Sequence, residues 1–282
     1  MELTRLSKLR PRDVWGVLDD AFDLYRARFA LLAGIAAVPF VPSYLLNTLV
    51  TTLAYKRFQE SAESAQATET LIPLLIFFGA MAVGQPILLI ARAIQYAATS
   101  VAIEDWLTGT EPSARHAWKQ TAPHLFTIAF AVLGLVLIMA LVYVVSCGAL
   151  IFLGLPFLVL IPICIVLEKR GLKNGFRRGW RLALADFGRG LGLSSLVWML
   201  EVVLQIGLGM LVGAIFSLIP GQKVDLESTG SYVTGQVAQA VTALFIAPLG
   251  GVATTLFYFD CRVRREGLDL TALAQETDVT LA

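Results

Sequence analysis

The chain has 282 residues, a net charge of +1, 57% apolar residues and only 15% charged ones. Its mean hydropathy is +0.72, whereas a water-soluble domain carries about 45–50% apolar and about 25% charged residues. That surplus excludes a soluble globular fold, and the balance of 22 basic against 21 acidic residues argues against a nucleic-acid binder.

The first 28 residues are too charged for a cleavable leader. Within them Val14, Leu18, Phe22, Tyr25 and Phe29 recur at three- and four-residue spacing, the period of an amphipathic helix. Asp13, after Pro11-Arg12, is placed to start that helix. Charge-free runs then follow. About 20 apolar residues cross the ~30 Å hydrocarbon core, so 29–55, with Pro39 and Pro42, and 70–91, with Pro86, are expected spans. Leu125 to Leu167 is uncharged for 43 residues, about 65 Å as a single helix and twice what a bilayer needs. It is expected to fold back where Cys147-Gly148 and Gly154-Leu155-Pro156 gather turn-tolerant residues, giving spans 125–146 and 150–167. Spans 191–219, interrupted by Glu201, and 237–259 complete the set. The expectation is an all-α integral membrane protein, residues 1–282 forming one domain with six transmembrane helices.

Counting Lys and Arg between those spans sets the orientation. Nineteen fall on the side that carries both termini and three on the other. The positive-inside rule then places the N- and C-termini in the cytoplasm. Three segments repeat one pattern: Ala21-Phe22 with Arg28-Phe29, Ala117-Trp118 with His124-Leu125, and Gly179-Trp180 with Asp186-Phe187. They suggest three units, each a cytoplasmic interfacial helix followed by a helical hairpin. In the third, Lys173, Arg177, Arg178 and Arg181 lie off the apolar stripe and are candidate contacts for anionic lipid.

Glu201 stands ten residues inside the fifth expected span, where a charge costs about 2.5–3.5 kcal/mol on insertion scales. Ser194, Trp198, Glu201 and Gln205 share one helical stripe, and Asn47 and Gln239 are polar partners on the first and sixth spans. Two readings stay open, a polar cavity for a solute and interhelical hydrogen bonding. Small-residue spacings at Gly209/Gly213, Ala80/Gly84 and Ala243/Ala247/Gly251 predict close helix packing. Cys147, Cys164 and Cys261 have no metal-ligand spacing, and His116 and His124 are eight residues apart with Pro123 between them. No catalytic motif, metal set or cofactor site is expected.

The closing segment, Thr255 to Gly267, runs through Asp260, Arg262, Arg264, Arg265 and Glu266. It resembles the signature of an uncharacterised bacterial and archaeal membrane-protein family related to the membrane domain of glycerophosphoryl diester phosphodiesterase. Ala21 to Arg26 and Val166 to Trp180 are similar to further landmarks of that family, and Cys261 stands in a slot that is otherwise more hydrophobic. The resemblance implies a helical membrane bundle without the catalytic barrel, whose metal-binding residues have no counterpart here. The expected function is a non-enzymatic inner-membrane protein that contacts membrane lipids, associated with lipid or envelope. The alternative is a small-solute transporter or channel using Glu201.

Overall fold

The computed structural model describes residues 11–63, 67–145, 151–217 and 229–268. The Cys147-Gly148 turn, most of loop 220–236 and the basic residues before Pro11 lie outside them. Among the described residues all regular structure is helical: α1 (Val14–Ala27), α2 (Phe29–Glu63), α3 (Ala67–Leu107), α4 (Ala114–Thr121), α5 (Leu125–Val145), α6 (Leu155–Leu167), α7 (Leu172–Ala185), α8 (Phe187–Ser217) and α9 (Thr229–Glu266).

Three times in chain order a short amphipathic helix is followed by two apolar ones. The long helices after the breaks begin at Phe29, Leu125 and Phe187, the positions of the three sequence copies. Two of the breaks are nearly identical in backbone: Arg28 has φ −128° and ψ 28°, Asp186 has φ −127° and ψ 41°. The middle break is a 3-10 turn, Ala122–His124, built on Pro123. At each copy the small residue is buried (Ala21, Ala117, Gly179), which lets the short helix sit close to its neighbours. Asp13 caps α1, its carboxylate accepting from the Gly16 N–H at 3.0 Å.

Among the described residues five helices are long and apolar enough to cross a membrane. The expected fourth span, 150–167, is instead a 3-10 turn at Ile151–Gly154 followed by α6, whose 13 residues rise only about 20 Å. Proline at its second position and flanking turn residues shorten it. The other large difference is α3. The expected span stopped at Ala91, but the helix continues unbroken for 41 residues, about 60 Å. No Gly or Pro follows Arg92 until Thr108-Gly109, where Gly109 takes φ +83° and ends it. Arg92 therefore belongs to the interior of a helix and not to a loop.

The core is made by α9 passing among α1, α2, α3 and α8. Leu249 to Phe259 are all buried. Glycine makes the tightest approaches. A Cβ on Gly251 would stand 2.5 Å from Gln95 Nε2, and one on Gly179 would stand 2.7 Å from the Ile161 backbone. Gly84 similarly faces Asn47 across α2 and α3. Of the small-residue spacings, Ala80/Gly84 and Ala243/Ala247/Gly251 thus include close contacts, whereas Gly209 has nothing within 4 Å. The unforeseen pair is Gly175/Gly179, which seats α7 on α6. The outside of the bundle is studded with exposed Leu, Val, Ile and Phe from α2, α3, α5 and α8, a surface suited to lipid and not to water.

Candidate functional site

The charges sort into two regions. At one end of the bundle the start of α1, the ends of α6 and α9, and the start of α8 converge on three carboxylates. Asp260 accepts from the Arg12 backbone N–H at 2.7 Å, Arg189 Nη2 at 2.6 Å and Arg264 Nε at 3.1 Å. The Arg12 carbonyl accepts from the same two guanidiniums at 2.6 and 2.7 Å. Glu168 is held by Arg178 Nε at 2.9 Å, Arg170 Nε at 2.6 Å and the Tyr258 hydroxyl at 3.2 Å. Arg178 also binds Glu266, which accepts from Arg262 Nε at 3.1 Å. Burial opposes the Arg178 charge, but its hydrogen bonds to Glu168 and Glu266 outweigh that and raise its pKa above the ordinary guanidinium value. The Asp260–Arg264 pair expected at four-residue spacing is one strand of this larger network.

Arg178 is thus committed to carboxylates, while Lys173, Arg177 and Arg181 are exposed at four-residue intervals on the face of α7 turned away from α6. Nearby, His116 Nδ1 meets Asp105 Oδ2 at 2.7 Å and His116 Nε2 meets Gln120 at 3.0 Å. Cys164 and Cys261 are free and fully buried. Among the described residues no cluster of three or more His, Cys, Asp or Glu is placed to hold a metal.

The second region lies in the middle of the bundle. Arg92 of α3 reaches Glu201 of α8, with Nη1 to Oε2 at 2.8 Å, and the Glu201 side chain is only 5% exposed. Glu201 therefore has a partly buried basic partner that hydropathy had set outside the membrane. Its other oxygen, Oε1, is buried without a hydrogen-bond partner among the described residues. It lies 3.0 Å from where a Cβ on Gly250 would stand, so α9 approaches Glu201 closely only because position 250 has no side chain.

The ion pair forms part of the wall of a cavity of about 290 Å³ between α2, α3, α8 and α9. Five of the six residues singled out in the sequence line it: Glu201, Gln205, Trp198, Asn47 and Gln239. Ser194 does not, because its hydroxyl donates to the Gly190 carbonyl at 2.5 Å within its own helix. Thr51 and Gln85, polar residues of the first two expected spans, also line it, and the tertiary structure adds Arg92, Tyr44 and Gln236. Gln85 is two turns before Arg92 on the same helix, and a scan for polar residues at seven-residue spacing finds that pair. Gln236 precedes the expected sixth span and joins the site only because α9 starts eight residues earlier than hydropathy indicates. Asn47 Oδ1 and Gln236 Oε1, like Glu201 Oε1, are buried and without a hydrogen-bond partner among the described residues. These unmet acceptors sit on residues of the cavity wall, and a buried acceptor without a donor is rare in a folded protein.

No protein-family model matches this chain, and neither a curated protein nor a solved structure is significantly similar to it.

Proposed function

We propose that this chain is a multi-pass inner-membrane protein that binds a small polar group inside the bilayer, without catalysing a reaction on it. The observation that carries this reading is the Arg92–Glu201 pair on the wall of a 290 Å³ amide-rich cavity, between helices apolar enough to cross a membrane. Ionisable residues inside transmembrane segments face the bundle interior or a water-filled cavity and mark substrate and ion pathways. The depth agrees: Gly250, beside Glu201, is ten residues before Asp260, about 15 Å along α9, or half of the ~30 Å hydrocarbon core.

In this topology the charged end faces the cytoplasm together with both termini. Moving Arg92 from a loop to a helix interior leaves 18 basic residues against three, which still satisfies the positive-inside rule. The path returns to the charged end at Glu168 of the α6–α7 turn, which supports an even number of passages with α6 as a short sixth. Helices α1, α4 and α7 would lie in the headgroup layer, and the exposed Lys173, Arg177 and Arg181 favour contact there with anionic lipid. The resemblance of the closing segment to the phosphodiesterase membrane-domain family is consistent with a membrane bundle and brings no hydrolase activity with it.

Thiol labelling tests the cavity. In a Cys147→Ser background in vesicles, Gln239→Cys and Gln205→Cys are expected to react with a small hydrophilic methanethiosulfonate at least tenfold faster than the outward-facing control Leu208→Cys. Equal rates at all three positions would sink the reading.

A further inference from the structure

A second, chemically opposite compartment adjoins the polar cavity. It is an apolar groove of about 460 Å³ between α2 and α9, walled by Val41, Leu45 and Leu49 on one side and Val237, Val241 and Leu244 on the other. It runs from Phe40 to Thr52, about 18 Å along α2, close to the hydrocarbon depth of one leaflet, about 15 Å. Phe40 and Tyr44 line both compartments. The two spaces therefore share one wall, polar on the inner side and apolar on the side open to lipid.

We infer that this paired site takes a single-chain amphiphile with an uncharged, hydroxyl-bearing headgroup, of which a monoacylglycerol is the simplest case. Its headgroup sits against Arg92 and Glu201 and its chain lies in the α2–α9 groove. The inference rests on the reading of the polar cavity as a binding site and adds the ligand's chemistry. Three observations choose that chemistry. Arg92 and Glu201 already neutralise one another at 2.8 Å, so a ligand with net charge would enter a low-dielectric site with no counter-charge to meet it. Three residues of the cavity wall, Glu201, Asn47 and Gln236, each carry a buried oxygen without a hydrogen-bond partner among the described residues; all three are acceptors, and hydroxyls are donors. The cavity, about 290 Å³, takes a glycerol-sized head, and its wall of Asn47, Gln85, Gln236 and Gln239 amides does not suit a hydrocarbon chain. That chain must then lie in the groove. The ligand passes over Tyr44, whose ring sets access between the two compartments.

The experiment uses the full chain in phosphatidylcholine nanodiscs with a monoacylglycerol carrying a photoreactive diazirine in its chain. Labelling is expected on the peptides covering Tyr44–Thr52 and Val233–Leu244 and is competed by unlabelled monoacylglycerol. Val241→Trp, which fills the groove from its lipid side, is expected to cut labelling at least fivefold. The same variant leaves the thiol reactivity of Gln239→Cys unchanged. Tyr44→Ala is expected to speed labelling, and Tyr44→Phe to leave it as in the wild type. Labelling that excess unlabelled monoacylglycerol does not compete, or that Val241→Trp does not reduce, overturns the inference. Equal competition by dodecyl phosphate or dodecyltrimethylammonium overturns its headgroup chemistry. Hydrophilic reactivity at Gln239→Cys without lipid labelling rejects the amphiphile and keeps the polar cavity; loss of both rejects the two together.

Discussion

The charged end and the buried centre use the same chemistry, arginine against carboxylate, to opposite effect. Asp260 receives three donors and Glu168 is shared by two arginines and a tyrosine. Every oxygen of these two carboxylates has at least one donor, and the network fastens helix ends together. Glu201 receives one arginine and keeps a buried oxygen unpartnered beside a cavity. The difference lies in the cavity beside Glu201, since Asp186 Oδ2 and Arg189 Nη1 at the charged end are also buried without a hydrogen-bond partner among the described residues. A carboxylate's surroundings separate the two roles where its identity does not.

The comparison breaks most visibly at the centre. Glu201→Leu alone leaves Arg92 as an uncompensated buried charge and is expected to cost about 3–5 kcal/mol. The double variant Arg92→Met/Glu201→Leu is expected to recover most of that stability while abolishing the binding of polar ligands. Thermal unfolding in detergent compares the three proteins. If the double variant were as unstable as the single one, the pair would be holding the bundle together in the manner of the charged end.

At that end Asp260→Ala strands two guanidiniums and the Arg12 N–H, with an expected loss of about 2–3 kcal/mol. Arg264→Ala removes a partner that is a third exposed and is expected to cost no more than about 1 kcal/mol. Neither substitution is expected to change thiol reactivity at Gln239→Cys. A change there would join the two regions into one functional unit.

Packing separates the glycines in the same way. Gly179→Ala forces a methyl against the Ile161 backbone and is expected to destabilise by about 1–3 kcal/mol. Gly209→Ala meets nothing within 4 Å and is expected to fall within about 0.5 kcal/mol of wild type. Denaturation midpoints of the two variants, measured side by side, give the contrast. The smallest stability effect is expected from Lys173→Ala/Arg177→Ala/Arg181→Ala, within about 0.5 kcal/mol per site. Its signature is elsewhere: the affinity of the protein's cytoplasmic face for anionic lipid should fall by about 1 kcal/mol per cation removed. Unchanged sedimentation of detergent-solubilised protein with phosphatidylserine vesicles would show that these charges serve orientation alone.

Much of the fold was legible because its signals are local. The breaks before Phe29, Leu125 and Phe187 follow from an amphipathic stripe giving way to an all-apolar run, and Asp13 marks a helix start by its own side chain. The length of α3 was also written in the chain, since nothing between Arg92 and Thr108-Gly109 stops a helix. A hydropathy window misses this because it ends at the first charge, whereas a helix ends at a cap. The short α6 was not legible, because its apolar run matches that of a full span and only the turn at Ile151–Gly154 divides it.

By itself the sequence determined the membrane class, the side on which basic residues collect, and the polar stripe that carries Glu201. Helical periodicity reports which face of a helix a residue occupies, and five of the six expected residues do face the cavity. Periodicity is silent about which helix stands opposite. Only the tertiary structure decided that Arg92, 109 positions earlier, completes Glu201. It also decided that Gly250 lets α9 close on that pair and Gly251 lets it close on Gln95, and that Ser194 turns back to its own backbone. These outcomes depend on helices meeting at chosen depths, which is set by packing across the whole bundle and by no segment alone.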